Sequence, residues 1–186
     1  KKFEIFMEDE MKGNVIRDWK ALPYDWRLDF YSALTNGLKV GEKGGRENVS
    51  YAQASSTPYI LQELNHLAEK SDTGKVTVVA HSQGGLIIKT ILSVLADDTL
   101  PLFHDPRVRQ YRSLLEKIDK VILVASPQTG TPAAVEGLLH GDRGELGVSL
   151  PWSETWGIIT DEKQARELGE NMQSAHNLLP SSQYFQ

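Results

Sequence analysis

Two uninterrupted apolar runs set the frame of this chain, Val76-Thr77-Val78-Val79-Ala80 and Val121-Ile122-Leu123-Val124-Ala125. Each has the length of a strand and lacks the alternation of a half-exposed one, so each predicts a β-strand buried on both faces, as in a parallel sheet covered by helices. Between them Leu86, Ile87, Thr90, Ile91 and Val94 recur at helical spacing and predict a helix that begins just after Ser82. Strand, helix, strand at this spacing is a right-handed crossover unit. It brings Ser82 and Ser126 to one carboxyl edge of the sheet, where open α/β sheets bind their ligands.

The remaining pattern is weaker. Lys2 to Phe6 reads as a short strand, and Trp19 to Tyr24 as a second one whose loop end is Asp25-Trp26-Arg27. From Gly37 to Ser55 the composition turns to Gly, Lys, Glu and Ser and predicts a surface loop. Ser56-Thr57-Pro58 then predicts a helix with a hydroxyl N-cap and proline in its first turn. Glu63 stands early in that helix, Ile60, Leu61, Leu64, Leu67 and Ala68 share a face, and the end falls near Asp72-Thr73-Gly74. Beyond Pro132 no run has strand length. Leu138-Leu139, Leu150-Pro151-Trp152 and Trp156-Gly157-Ile158-Ile159 predict a cap over the sheet edge, whose apolar residues form either a surface for a fatty chain or buried core. The expected organisation is a partial core over residues 1–132 and a cap-like segment of the same domain over 133–186.

Composition narrows the classes. At 186 residues and 40% hydrophobic content the chain suits one domain with a sizeable core. Its formal charge of −5 is scattered, and no basic cluster is interleaved with aromatics, which argues against a nucleic-acid partner. No apolar stretch approaches the roughly 20 residues that span a bilayer. The absence of cysteine excludes disulfides and thiolate metal sites and leaves the compartment open. No phosphate-cradling glycine loop and no His and carboxylate cluster of ligand spacing occurs, so neither a metal nor a cofactor is expected. The first residue is Lys1, which fits a leader that was removed or a larger missing piece.

The chemistry sits in Ala80-His81-Ser82-Gln83-Gly84-Gly85. A serine between a buried strand and a helix is often a simple N-cap. With a strand directly before it and an apolar helix directly after it, it matches a nucleophile elbow, where a strained turn exposes the hydroxyl and small neighbours let helix and strand approach. Ala80 and Gly84 are those neighbours, with Gly85 behind them. The first amides of the helix and its positive dipole end face the place where an acyl oxyanion would develop, so the backbone N–H of Gln83 is the expected donor. His81 should point away from Ser82 and serve packing or positioning.

These residues resemble the α/β-hydrolases, and within them the lipase and lecithin:cholesterol acyltransferase-like group. Four stretches carry the resemblance: Pro23-Tyr24-Asp25-Trp26-Arg27, the elbow itself, Val124-Ala125-Ser126-Pro127-Gln128-Thr129-Gly130-Thr131-Pro132, and Asn177-Leu178-Leu179-Pro180-Ser181 through Tyr184-Phe185. Ala80 departs from the glycine common there. The resemblance implies an α/β-hydrolase fold, a parallel sheet flanked by helices, and a serine hydrolase or O-acyltransferase acting on carboxylic esters, acyl lipids above all. It also implies an oxyanion donor from a Gly-rich loop and an acid and a histidine after the second strand. No matching glycine turn precedes Tyr24, and no long strand run follows Ala125. The expectation is a fragment lacking both ends, with little activity in isolation.

A compressed triad is the alternative, with Asp142, Glu145 or Asp161 as acid and His176 as base. His104-Asp105 is adjacent in the chain and poorly placed to stand behind Ser82; His66 and His140 read as surface residues. Asp25 reads as a turn cap or hydrogen-bond acceptor, with Trp26 and Arg27 packing and pairing near the cleft. Two rival functions stay open: a non-catalytic binding or scaffold domain on the same fold, and a thioesterase or amidase on the same constellation.

Overall fold

The computed structural model describes residues 2–35, 38–40, 49–51, 58–140 and 162–185. Helix α1 spans Lys2–Lys12 and α2 Phe30–Thr35; strands β1 (Leu38–Val40) and β2 (Val49–Tyr51) pair antiparallel. Helix α3 (Tyr59–Lys70), strand β3 (Val76–His81) and helix α4 (Gly84–Ala96) follow. After a 3₁₀ turn over Pro101–His104 come α5 (Pro106–Arg109), α6 (Leu114–Lys117) and strand β4 (Ile118–Val124). Helices α7 (Pro132–His140), α8 (Glu162–Asn171) and α9 (Gln173–Asn177) follow, and a 3₁₀ turn over Ser182–Phe185 completes the described chain.

Strands β3 and β4 pair in parallel, with Val78 opposite Val121 and His81 opposite Val124. The expected strand, helix, strand unit is therefore present, and both strands end side by side. Strand β4 begins earlier than its apolar run, at Ile118, because exposed Asp119 and Lys120 interrupt the hydrophobic pattern without interrupting the ladder. The core gathers on one face of this pair. Ile60, Leu61 and Leu64 of α3, Ile87, Ile88, Ile91, Val94 and Leu95 of α4, and Leu114 of α6 form one buried cluster with Ala80, against which Val76, Val78 and Val121 pack. Ile91 is 1% exposed; truncating such a side chain costs about 2–5 kcal/mol.

Several expectations are corrected. The strands are not buried on both faces: Val79 is 45% and Ile122 48% exposed, because among the described residues the helices cover only the face that carries Val76, Val78 and Ala80. Lys2 to Phe6 is the start of helix α1, not a strand. Glu4, Met7, Glu8, Glu10 and Met11 are strong helix formers, and Glu4 early with Lys12 late suits the helix dipole. Residues 18–25 carry no strand pairing. Within the expected loop at 37–55, the pieces Leu38–Val40 and Val49–Tyr51 form a hairpin ladder. Helix α3 has Pro58 at its N-cap with no side-chain cap, a place where the missing proline N–H is not needed; Ser56 and Thr57 lie outside the described residues. So do Leu150 to Ile159, while Leu138 is half-buried and Leu139 exposed on α7.

Candidate functional site

The end of β3 builds the site. Its backbone leaves the strand at His81, takes a left-handed conformation at Ser82 with φ +51°, and enters right-handed helical conformation at Gln83, φ −56°. A left-handed non-glycine residue costs about 1–2 kcal/mol and persists where its surroundings hold it. Here they do. Ser82 N–H donates to Val124 O at 2.9 Å, pinning the turn to β4, and Gly85 N–H donates to Ser82 O at 3.0 Å. Leu86 and Ile87 donate to Gln83 O at 2.9 and 3.2 Å, which starts α4. The Ser82 side chain is exposed and makes no hydrogen bond to a described residue, and His81 is exposed beside it.

Among the described residues no acceptor meets the N–H of Gln83 or of Gly84. Ser82 N–H is already used, so the first free donor after the hydroxyl is Gln83. Such amides at the start of a helix lie at its positive end and are suited to a developing negative charge.

Strand β4 ends the same way. Ala125, at the register position beside Ser82, has φ +48°. Its turn presses Ser126 onto the first turn of α4, where a Cβ on Gly85 would overlap Ser126 Oγ and stand 2.6 Å from Ser126 Cβ. A Cβ on Gly84 would stand 4.0 Å from Ala80 Cβ, an ordinary contact. The close approach expected at Ala80 and Gly84 is thus made by Gly85 against Ser126. Ser126 Oγ is buried and unpartnered among the described residues. Lys89 Nζ donates to Gln128 O at 3.3 Å and ties α4 to the loop after β4.

A third wall comes from the segment before α2. Tyr24 Oη donates to Gln83 Oε1 at 3.3 Å, and burial pushes the phenol pKa up to about 12. Asp25 accepts from Arg27 Nε at 2.8 Å and Nη2 at 2.6 Å, the pairing role the sequence predicts, while Trp26 is exposed. Tyr24, His81 and Gly84 stand at one end of a cavity of about 870 Å³ that runs along β3 and is lined by Leu22, Ile60 and Ile88.

The other predicted residues do not meet Ser82 by hydrogen bond. His176 Nε2 lies 3.2 Å from Glu170 O, within the α8–α9 corner. Asp105 caps α5 and pairs with Arg107 Nη2 at 2.6 Å, which lowers its pKa through the hydrogen bond from Arg107 and leaves His104 exposed without it. His66 is exposed on α3. Asp142, Glu145 and Asp161 lie outside the described residues, as does the His140 side chain. No group of three or more metal-ligating side chains occurs among the described residues, and no described helix is long and apolar enough to cross a membrane.

Backbone bonds join the loop after β4 to the last motif stretch and the Asp25–Arg27 turn to α9, while Tyr24 reaches the elbow by its side chain. Thr131 N–H donates to Leu178 O and Ser181 N–H to Thr129 O, both at 2.8 Å, and Ser174 N–H donates to Arg27 O at 3.2 Å. The link from Tyr24 to Gln83 and the strained Ala125 carried no signal in the sequence. Nor did the Gly85 contact, although the sequence predicts Ser126 at the same sheet edge.

Comparison with known proteins adds one finding. The family model described as Lecithin:cholesterol acyltransferase matches residues 11–185. No curated protein and no solved structure matches.

Proposed function

The chain belongs to the lecithin:cholesterol acyltransferase family, an α/β-hydrolase group of acyltransferase and lipase-type enzymes acting on lipids, and from that premise we propose that Ser82 is its nucleophile. The observation that carries the reading is the turn at Ser82, a left-handed backbone whose hydroxyl and following Gln83 N–H bond to none of the described residues. We read this turn as a nucleophile elbow, with Ala80, His81, Gly84 and Gly85 as its support.

In the proposed reaction Ser82 Oγ attacks the ester carbonyl carbon while its proton passes to a histidine base. Negative charge gathers on the carbonyl oxygen, which Gln83 N–H holds. The carbon–oxygen bond to the alcohol then breaks, and the base returns the proton to that alcohol. Water or an acceptor alcohol attacks the acyl-enzyme by the same steps in reverse. Hydrolysis and acyl transfer share this intermediate, so one serine serves either outcome. We assign the base and its acid to residues outside those described, because His176 and Asp105 are engaged elsewhere. The segment from 133 onward is read as a cap whose apolar residues meet the acyl chain.

Ser82→Ala in the natural protein is expected to lower turnover of a short nitrophenyl ester by roughly 10⁴-fold or more. An undiminished rate contradicts the assignment. That no histidine or carboxylate among the described residues is bonded to Ser82 favours the non-catalytic scaffold as second reading, and wild-type protein without any esterase, thioesterase or amidase turnover would support it instead.

A further inference from the structure

We propose that Tyr24 is a positioning residue for this chemistry, acting through the side chain of Gln83 to hold the Gln83 peptide N–H where the oxyanion forms. The inference rests on the reading of Ser82 as nucleophile and names a part that reading does not contain.

Gln83 occupies a demanding place. It is the only residue between left-handed Ser82 and the first residue of α4, and its peptide must keep one orientation for its N–H to face the reacting carbonyl. Its backbone N–H has no acceptor among the described residues, while the Ser82 C=O of the same planar peptide accepts from Gly85 N–H at 3.0 Å, which holds the peptide from the helix side. A second restraint is a side-chain anchor on Gln83. The Tyr24 phenol reaches it across a long sequence separation, and among the described residues this is the one hydrogen bond of the Gln83 amide group.

The anchor is itself braced. Directly after Tyr24, Asp25 accepts from both the Arg27 backbone N–H at 3.1 Å and its guanidinium, and Leu28 N–H donates to Asp25 O at 3.2 Å, closing a tight turn. Arg27 O accepts from Ser174, and Asp29 N–H donates to Gln173 Oε1 at 3.3 Å, so the turn is also fastened to α9. On the other side Asp18 and Lys20 pair with Lys70 and Glu63 of α3. Tyr24 therefore stands on a segment fixed at both ends, with its ring half-buried, and presents its hydroxyl to the turn from outside the β3–α4 connection. A preorganised donor gains its catalytic value from not having to reorient as charge develops. A hydrogen bond that restrains the neighbouring side chain contributes to that without touching substrate.

Two substitutions test this, with the reaction followed on a nitrophenyl ester in the natural protein. Tyr24→Phe removes the donor and keeps the ring; Gln83→Met removes the acceptor and keeps the length. Each is expected to lower kcat roughly three- to tenfold, the worth of one such bond, with KM within about twofold of wild type. The double variant should lose no more than either single one, because both delete the same link. Full wild-type kcat in Tyr24→Phe, additive losses in the double variant, or a loss confined to KM overturns the proposal. If Tyr24→Phe does not fold, a wild-type kcat in Gln83→Met overturns it equally. Ser82→Ala separates the two levels. If it keeps activity, the nucleophile reading fails and this inference with it; if it loses activity while both Tyr24→Phe and Gln83→Met keep theirs, only this inference fails.

Discussion

At Ser82 the energetics turn on one backbone angle. Its left-handed φ is stored strain, held by the hydrogen bond to Val124 O and by the helix that begins two residues later. The tightest steric demand nearby falls on Gly85, whose missing side chain makes room for Ser126. Gly85→Ala should therefore lower activity by at least tenfold and thermal stability by about 1–3 kcal/mol, the range for overpacking; Ser126→Gly in the same molecule should restore much of both. Activity and melting of the two variants check this, and a wild-type Gly85→Ala contradicts it. Tyr24 adds a pH signature. Its folded pKa of about 12 lies above the ordinary value of 10.0, so burial favours the neutral phenol. The stability this contributes is full below pH 10 and is lost as pH rises from 10 towards 12, where the unfolded chain ionises first. Unfolding followed across that range should show a smaller alkaline loss in Tyr24→Phe than in wild type.

The elements that position the site were the most legible ones. Buried apolar runs identify β3 and β4, and helical spacing identifies α4, because tertiary burial there agrees with local pattern. The elements missed were those whose pattern is ambiguous or short. Phe3 and Ile5 alternate like a strand inside a stretch of strong helix formers, and the hairpin of β1 and β2 carries too few residues to show a period. The missing polar alternation predicts burial on both strand faces, whereas covering a face depends on which other elements reach it. At this scale the prediction concerns α4. Ile91→Ala, in the middle of the cluster that supports the turn, should destabilise the protein by about 2–5 kcal/mol, measured by denaturant unfolding, with an unchanged midpoint counting against the core as described.

Across the whole molecule, four stretches far apart in sequence meet around one sheet edge. Their residue types were visible, and their mutual bonds were not, since a backbone bond such as that from Thr131 to Leu178 O leaves no mark on composition. Gly130 is where the meeting is tightest: φ is +91°, and a Cβ there would come within 2.6 Å of the Leu179 carbonyl carbon. Gly130→Ala is expected to separate the loop after β4 from residues 178–181 and to raise amide exchange at Thr131 and Ser181, leaving exchange in α4 unchanged. Equal protection in mutant and wild type would show that this contact does not hold the two segments together.

The most direct test of the central claim is to treat the natural protein with a fluorophosphonate probe and locate the adduct by peptide mass spectrometry. The account predicts a single covalent phosphonyl group on Ser82, absent in Ser82→Ala and blocked by an ester substrate. An adduct on another serine, with Ser82 unmodified, contradicts it.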